Sequence, residues 1–191
     1  MFGIMEHYSK ELFLSAIKIT FPVLLGYIPL GIAFGFLLTG AGYHWSYSFL
    51  MSLFIYAGSV QFISVALLAA GAGLIEFLTL TLLINLRHSF YGISMLEKFS
   101  DVGKFKSYLI FALTDETYAL LTTTKVPEGA SKSDFYVYIA ILNHFYWITG
   151  SLIGAMLGSV LDIDMEGMDF VLTALFVVLT IEQYYHSKAF F

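Results

Sequence analysis

The sequence contains no cysteine. Disulfides and cysteine-ligated metals are therefore excluded, and cysteine usage gives no hint of redox compartment. Charge is scarce as well. Asp, Glu, Lys and Arg make up 12% of the 191 residues, where a soluble domain carries about a quarter. With 59% hydrophobic residues, the chain cannot clothe a water-facing surface in polar groups. No Lys/Arg-rich patch suggests nucleic acid, and the formal net charge of −5 sits in short loops. The N-terminus, "MFGIMEHYSKELFLSAIKI", has acids in its first residues and no clear small-residue cleavage site, so it does not read as a signal peptide. There is no nucleotide-binding P-loop.

What the sequence does have is long apolar runs. Six hydrophobic segments lie near 12–38, 46–70, 74–95, 106–123, 135–160 and 169–186. Each approaches the ~20 residues that a helix needs to cross a bilayer. Backbone in lipid must satisfy its own hydrogen bonds, so each is expected to be helical. The expected fold is all-α: a polytopic integral membrane protein of about six transmembrane segments, one transmembrane domain over 1–191, with inverted repeats as an open option. Six spans with the N-terminus inside put Lys10, Lys125, Lys132 and Lys188 in the cytoplasm and Lys98, Lys104 and Lys106 outside. That is a poor fit to the positive-inside rule. A re-entrant segment or a miscounted span would account for it.

Several segments carry features that a plain span does not need. "FPVLLGYIPLGIAFG" holds Pro22 and Pro29, with Gly26, Gly31 and Gly35, inside one apolar run. Each proline removes a helical N–H. A discontinuous first helix is expected there, its freed carbonyls near Pro22 to Pro29 available to a ligand. "YAGSVQF" places the small residues Ala57, Gly58 and Ser59 beside Gln61, an amide at membrane depth that needs a partner. Gly150, Gly154 and Gly158 repeat at i, i+4, i+8 and predict a close helix–helix contact.

The ionisable groups deep within spans are Arg87, His88, Asp115, Glu116 and His144, while Glu182 lies near an end. Each costs at least ~2.5–3.5 kcal/mol at a helix centre, so they are expected to face an interior or a cavity. Arg87 is the only arginine in the chain. On a helical wheel Thr81, Asn85, His88 and Gly92 share one stripe, and Arg87 lies well away from Asn85. The expectation is that Arg87 pairs with Asp115 or Glu116 while Asn85 and His88 face a polar pathway. Asp115 and Glu116 are adjacent and point about 100° apart, so one can hold Arg87 and the other can face a cavity. Asn143, His144 and Trp147 form another polar set.

The pieces "PVLLGYIPLGIAFG", "YAGSVQF", "NLRHSFYG", "LTDETYAL" and "GMDFVLTALF", in that order, resemble the AzlC-type branched-chain amino acid permease family, the large subunits of two-component amino acid exporters. "NLRHSFYG" followed by "TDE" is the most specific part. The resemblance implies export of small aliphatic amino acids across the cell inner membrane, with a small hydrophobic AzlD-type partner subunit. It also implies further hydrophobic sequence beyond "GMDFVLTALF", which leaves open a fragment, a truncated product or a short variant, with C-terminal segments missing in the first two cases.

The reading that results is a secondary transporter and not an enzyme, driven by an ion or proton gradient, with no cofactor and no metal. Substrate-binding candidates are Pro29, Gly58, Gln61, Asn85, Arg87, His88, Asp115 and Asn143. Proton-coupling candidates are Asp115, Glu116 and His88. A membrane redox protein with His88 and His144 as haem ligands, or a channel or structural subunit, is the alternative. A homo-oligomer stays open.

Overall fold

The structure is a computed structural model, and it describes residues 2–161 and Val177. Apart from Val177, the sixth segment, with "GMDFVLTALF" and Glu182, lies outside the described residues, as does Lys188. The described chain is helical: α1 (Phe2–Gly40), α2 (Trp45–Phe54), α3 (Gly58–Ala69), α4 (Leu74–Met95), a short 3₁₀ turn (Gly103–Phe105), α5 (Lys106–Phe111), α6 (Asp115–Thr123) and α7 (Lys132–Val160). Two stretches, Lys10–Gly40 and Lys132–Val160, are long and apolar enough to cross a membrane.

These two helices form the spine, and they run parallel. Phe13 meets Tyr138 edge to face, Thr20 bonds Tyr146, and Gly150 and Gly154 lie on the backbone of Ile28 and Ile32. The glycines predicted to make a close contact do so, and their partner is the weaker glycine stripe of α1. A β-carbon on Gly31 would stand 2.8 Å from the Ser151 nitrogen, and one on Gly150 would stand 2.7 Å from the Ile28 carbonyl oxygen. Only glycine lets two backbones approach this closely.

The expected break in the first helix is absent. α1 is continuous through Pro22 and Pro29. Both prolines, with Leu25 and Gly26, occupy the exposed side of α1, away from the glycine face seated on α7. Each proline costs one hydrogen bond. The packing of α1 against α7 on the other side holds the helix together across that loss.

The breaks fall instead in the second and fourth segments. The second splits at Ile55–Ala57 and the fourth at Ala112–Thr114. In neither case does the chain continue onward. Ser48 of α2 bonds the Ser151 carbonyl and His144 reaches the Ser52 carbonyl, so α2 descends along α7 toward its middle. α3 then turns back. Gly58 faces Trp147, Phe62 packs on Phe34, and a short turn at 70–73 leads into α4. The pair α2–α3 is a hairpin that enters and leaves at one end of the bundle. The pair α5–α6 is its counterpart from the opposite end. Ser133 at the start of α7 bonds the Val102 carbonyl, Tyr108 and Phe111 reach His144, and Lys98, just past α4, donates to the Leu121 and Thr122 carbonyls at the end of α6. The 22 residues of α4, about 33 Å long, connect the two ends. Among the described residues, three helices traverse the bundle and two hairpins stop halfway, in place of the five simple spans expected over this stretch.

This topology revises the charge distribution. Lys98, Lys104 and Lys106 now share an end with Lys10, Lys18, Lys125 and Lys132, and the other end holds no lysine among the described residues. By the positive-inside rule the lysine-rich end is expected on the cytoplasmic side, an expectation that six simple spans could not supply. The chain lacks cysteine, so single cysteines report cleanly. Lys104→Cys should resist a membrane-impermeant maleimide in intact cells, and Gly42→Cys should react. The reverse pattern would invert the orientation.

Candidate functional site

The tips of the two hairpins meet in the middle of the bundle. At the first tip Tyr56 adopts φ 46°, the left-handed region that costs a non-glycine residue energy. Its ring is held by stacking on His144, with centroids 4.2 Å apart. His144 Nε2 lies 3.0 Å from the Ser52 carbonyl oxygen, which the break leaves without a helical donor, and Nδ1 lies 3.3 Å from the Tyr108 hydroxyl. Both ring nitrogens are thus engaged, and the geometry does not favour His144 as an axial haem ligand. Gln61 is fully buried. Its Nε2 donates to Ser52 Oγ at 3.1 Å and its Oε1 accepts from Trp147 Nε1 at 2.8 Å. The amide that needed a partner is one of the ties that hold the hairpin shut.

At the second tip, Thr114 caps α6 by accepting from the Thr117 N–H at 3.2 Å. Asp115 and Glu116 fill the first turn of α6, where carboxylates complement the helix dipole. The first turn of α3 has no side-chain cap at all. α3 and α6 run outward to opposite ends, so their N-termini, each with donor N–H groups, face one another at mid-depth.

Arg87 of α4 bridges the two N-termini. Its guanidinium lies 2.9 Å from Asp115 Oδ2 and donates to Ser59 Oγ at 3.0 Å. Asp115 also accepts from Tyr91 at 2.7 Å. The pairing expected from the helical wheel is therefore present, though not sealed: the Asp115 side chain keeps 39% of its surface open. Glu116 turns the other way. Its Oε2 lies 2.6 Å from the Tyr27 hydroxyl of α1, which also lies 2.6 Å from Thr114 Oγ1. Thr114 continues to Thr117 at 3.1 Å, and Thr117 accepts from Asn143 of α7 at 3.0 Å. The two adjacent carboxylates thus face different surroundings, one locked to a cation and one in a row of hydroxyls.

The remaining candidates divide. Gly58 stands at the α3 N-terminus, where a β-carbon would lie 3.1 Å from the Trp147 ring. Thr81 Oγ1, Asn85 Oδ1 and His88 Nδ1 are buried atoms without a hydrogen-bond partner, and all belong to the stripe read from the wheel. Pro29 is not brought to the site. It lies on the exposed side of α1, and the carbonyl it frees, that of Leu25, is on that side too. The sequence reading missed Tyr27, Tyr91, Thr114 and Thr117. A signal for Thr114 was available: Thr followed by Asp and Glu is a helix start, here in the middle of an apparent span.

A family model described as "AzlC protein" matches residues 22–161, which include both hairpins and every side chain of this site. The chain belongs to the AzlC family. Among its relatives, an uncharacterized membrane protein of Helicobacter pylori strain 26695 is 48% identical over 90% of this chain and 77% of the relative. The branched-chain amino acid transport protein AzlC of Bacillus subtilis is 42% identical over 92% of this chain and 69% of its own length. The inner membrane protein YgaZ of Escherichia coli is 31% identical over 93% and 75%. No solved structure matches.

Proposed function

We propose that this AzlC-family protein is a secondary transporter that exports branched-chain or similar aliphatic amino acids across the inner membrane. One observation carries the reading: two opposed half-helix N-termini, α3 and α6, converge at mid-depth on an arginine and two carboxylates. Transporters place the charged ends of a substrate at such sites. A substrate amino acid is a zwitterion with an apolar tail. The uncapped N–H groups of Gly58 and Ser59, with Arg87 beside them, offer donors for its carboxylate. Glu116 and Asp115 offer acceptors for its ammonium. Asn85, His88 and Asn143, each with an unpartnered buried atom, supply further polar groups along the pathway. The relative named for branched-chain amino acid transport supports the substrate class.

Energy comes from an ion or proton gradient, and a small hydrophobic AzlD-type subunit completes the exporter in the bilayer. Counterflow of labelled leucine, isoleucine and valine in proteoliposomes, with and without such a subunit, tests the reading. Saturable exchange of at least one of them is expected. Absence of exchange in both preparations would overturn it.

A further inference from the structure

Three groups near the crossing could carry a coupling proton: Asp115, His88 and Glu116. Their surroundings are not equivalent. Asp115 is held by Arg87 at 2.9 Å and by Tyr91 at 2.7 Å. Protonating it would strand the guanidinium. His88 adjoins Arg87 in sequence and makes an edge-to-face contact with Tyr91. A proton there would place a second cation beside the first. Glu116 has neither obstacle. Among the described residues it meets no lysine or arginine, and its named partners are Tyr27 and Thr114.

Glu116 is also accessible. It lies at the N-terminal tip of α6, at mid-depth, yet its side chain is exposed. Ala119 and Thr123, one and two turns on, are exposed on the same face of α6. A carboxylate at the head of this face is costly toward lipid and suits the wall of a polar path, and the small Ala119 and Thr123 leave room beside it. That path leads to the lysine-rich end of the bundle.

We infer that Glu116 is the proton-carrying carboxylate of the transport cycle, with the Tyr27 hydroxyl as its fixed hydrogen-bond partner, and that Asp115 is not. The inference rests on the transport reading above. Its logic is competition for one carboxylate. With no cationic ligand at the site, Glu116 holds a proton on its free oxygen and is neutral. When a substrate ammonium arrives from the cytoplasm, that proton leaves along α6 to the cytoplasm and the ammonium takes its place beside the carboxylate. On the far side the ammonium departs and a proton from outside restores the acid. One amino acid goes out for each proton that enters, and no bond other than the O–H is made or broken. Tyr27 of α1, Tyr56 at the first tip, His88 and Tyr91 of α4, Tyr108 of α5, Asp115 of α6 and His144 of α7 are titratable groups packed around the hairpin tips, while Arg87 of α4 is turned to Asp115.

The test uses the full chain with Glu116→Gln and Tyr27→Phe. In proteoliposomes an imposed pH gradient should drive accumulation of substrate by the wild type. Glu116→Gln should fall to the level of empty liposomes, and any exchange it retains should not change with pH. Its melting temperature should match the wild type. A second measurement does not need transport. The infrared spectrum of the purified wild type should contain the carbonyl stretch of a protonated carboxylic acid. That band should vanish in Glu116→Gln and shift in frequency in Tyr27→Phe. Gradient-driven accumulation by Glu116→Gln, or an infrared band that it leaves unchanged, would overturn the assignment. If the wild type moves no amino acid, the transport reading fails, and the infrared result alone decides whether Glu116 carries a proton.

Discussion

Gly154→Leu is expected to leave little folded protein in detergent. The α-carbon of Gly154 sits on the backbone of α1. A β-carbon there would collide with the Ile32 carbonyl oxygen and stand 2.6 Å from both the Ile32 carbonyl carbon and α-carbon. Flexible side chains can rotate out of a collision, but helix backbone cannot. Gly35 makes the reciprocal contact, with a β-carbon position 2.6 Å from the Ala155 nitrogen. Relief at position 154 would therefore need the two long helices to separate along the whole stripe. Overpacking an ordinary core costs about 1–3 kcal/mol, and this substitution should meet or exceed the upper end. Gly26→Leu is the control. It lies on α1, the partner helix, with nothing within 4 Å of its β-carbon position, and leucine favours helix over glycine. Thermal melting and size-exclusion profiles of the two variants decide the point. If Gly154→Leu melts and elutes as the wild type does, the parallel α1–α7 contact does not hold the fold.

That contact was legible because glycine at i, i+4, i+8 has one dominant use in an apolar helix, and the reading needed no knowledge of the partner. The prolines misled for the complementary reason. A proline in a sequence announces a missing hydrogen bond, but not whether neighbours hold the helix together regardless. Pro22 and Pro29 face outward, and α7 supports α1 from the other side. The breaks that do occur contain no proline. The first depends on Tyr56 being held in a left-handed conformation by His144, a residue 88 positions further on in the chain. No local pattern encodes such a support.

The hairpins escaped the segment count because a hairpin of two short helices has the length and composition of one span. The weak lysine asymmetry was the trace they left. It came from counting α2–α3 and α5–α6 as crossings, which put Lys98, Lys104 and Lys106 on the wrong end. The candidate site was more legible in its charges than in its hydroxyls. Ionised groups inside apolar runs are conspicuous because they are costly. Tyr27, Thr114 and Thr117 look like ordinary residues of a membrane helix until the tips bring them together.

Arg87 and Asn85 should separate cleanly on mutation. Arg87→Ala removes the bridge between the two hairpin tips: the Asp115 ion pair at 2.9 Å and the Ser59 bond at 3.0 Å. Breaking a fully buried pair from one side costs ~3–5 kcal/mol because the other charge is stranded. Here the side chains keep 24% and 39% of their surfaces open, so solvent takes up part of the loss and about 1–3 kcal/mol is expected. Asn85→Ala removes a side chain whose Oδ1 has no hydrogen-bond partner. Deleting an unsatisfied acceptor should leave stability unchanged or slightly raised, while transport falls if Asn85 lines the pathway. A third variant isolates the stranded charge. Arg87→Ala with Asp115→Ala should recover part of the stability lost by Arg87→Ala alone, since no carboxylate is then left without its cation, yet it should not recover transport. Detergent melting curves and proteoliposome flux for all three variants give the answer. If Arg87→Ala melts as the wild type does and only substrate affinity weakens, the guanidinium is a ligand for the substrate carboxylate and the hairpin tips are joined by other means.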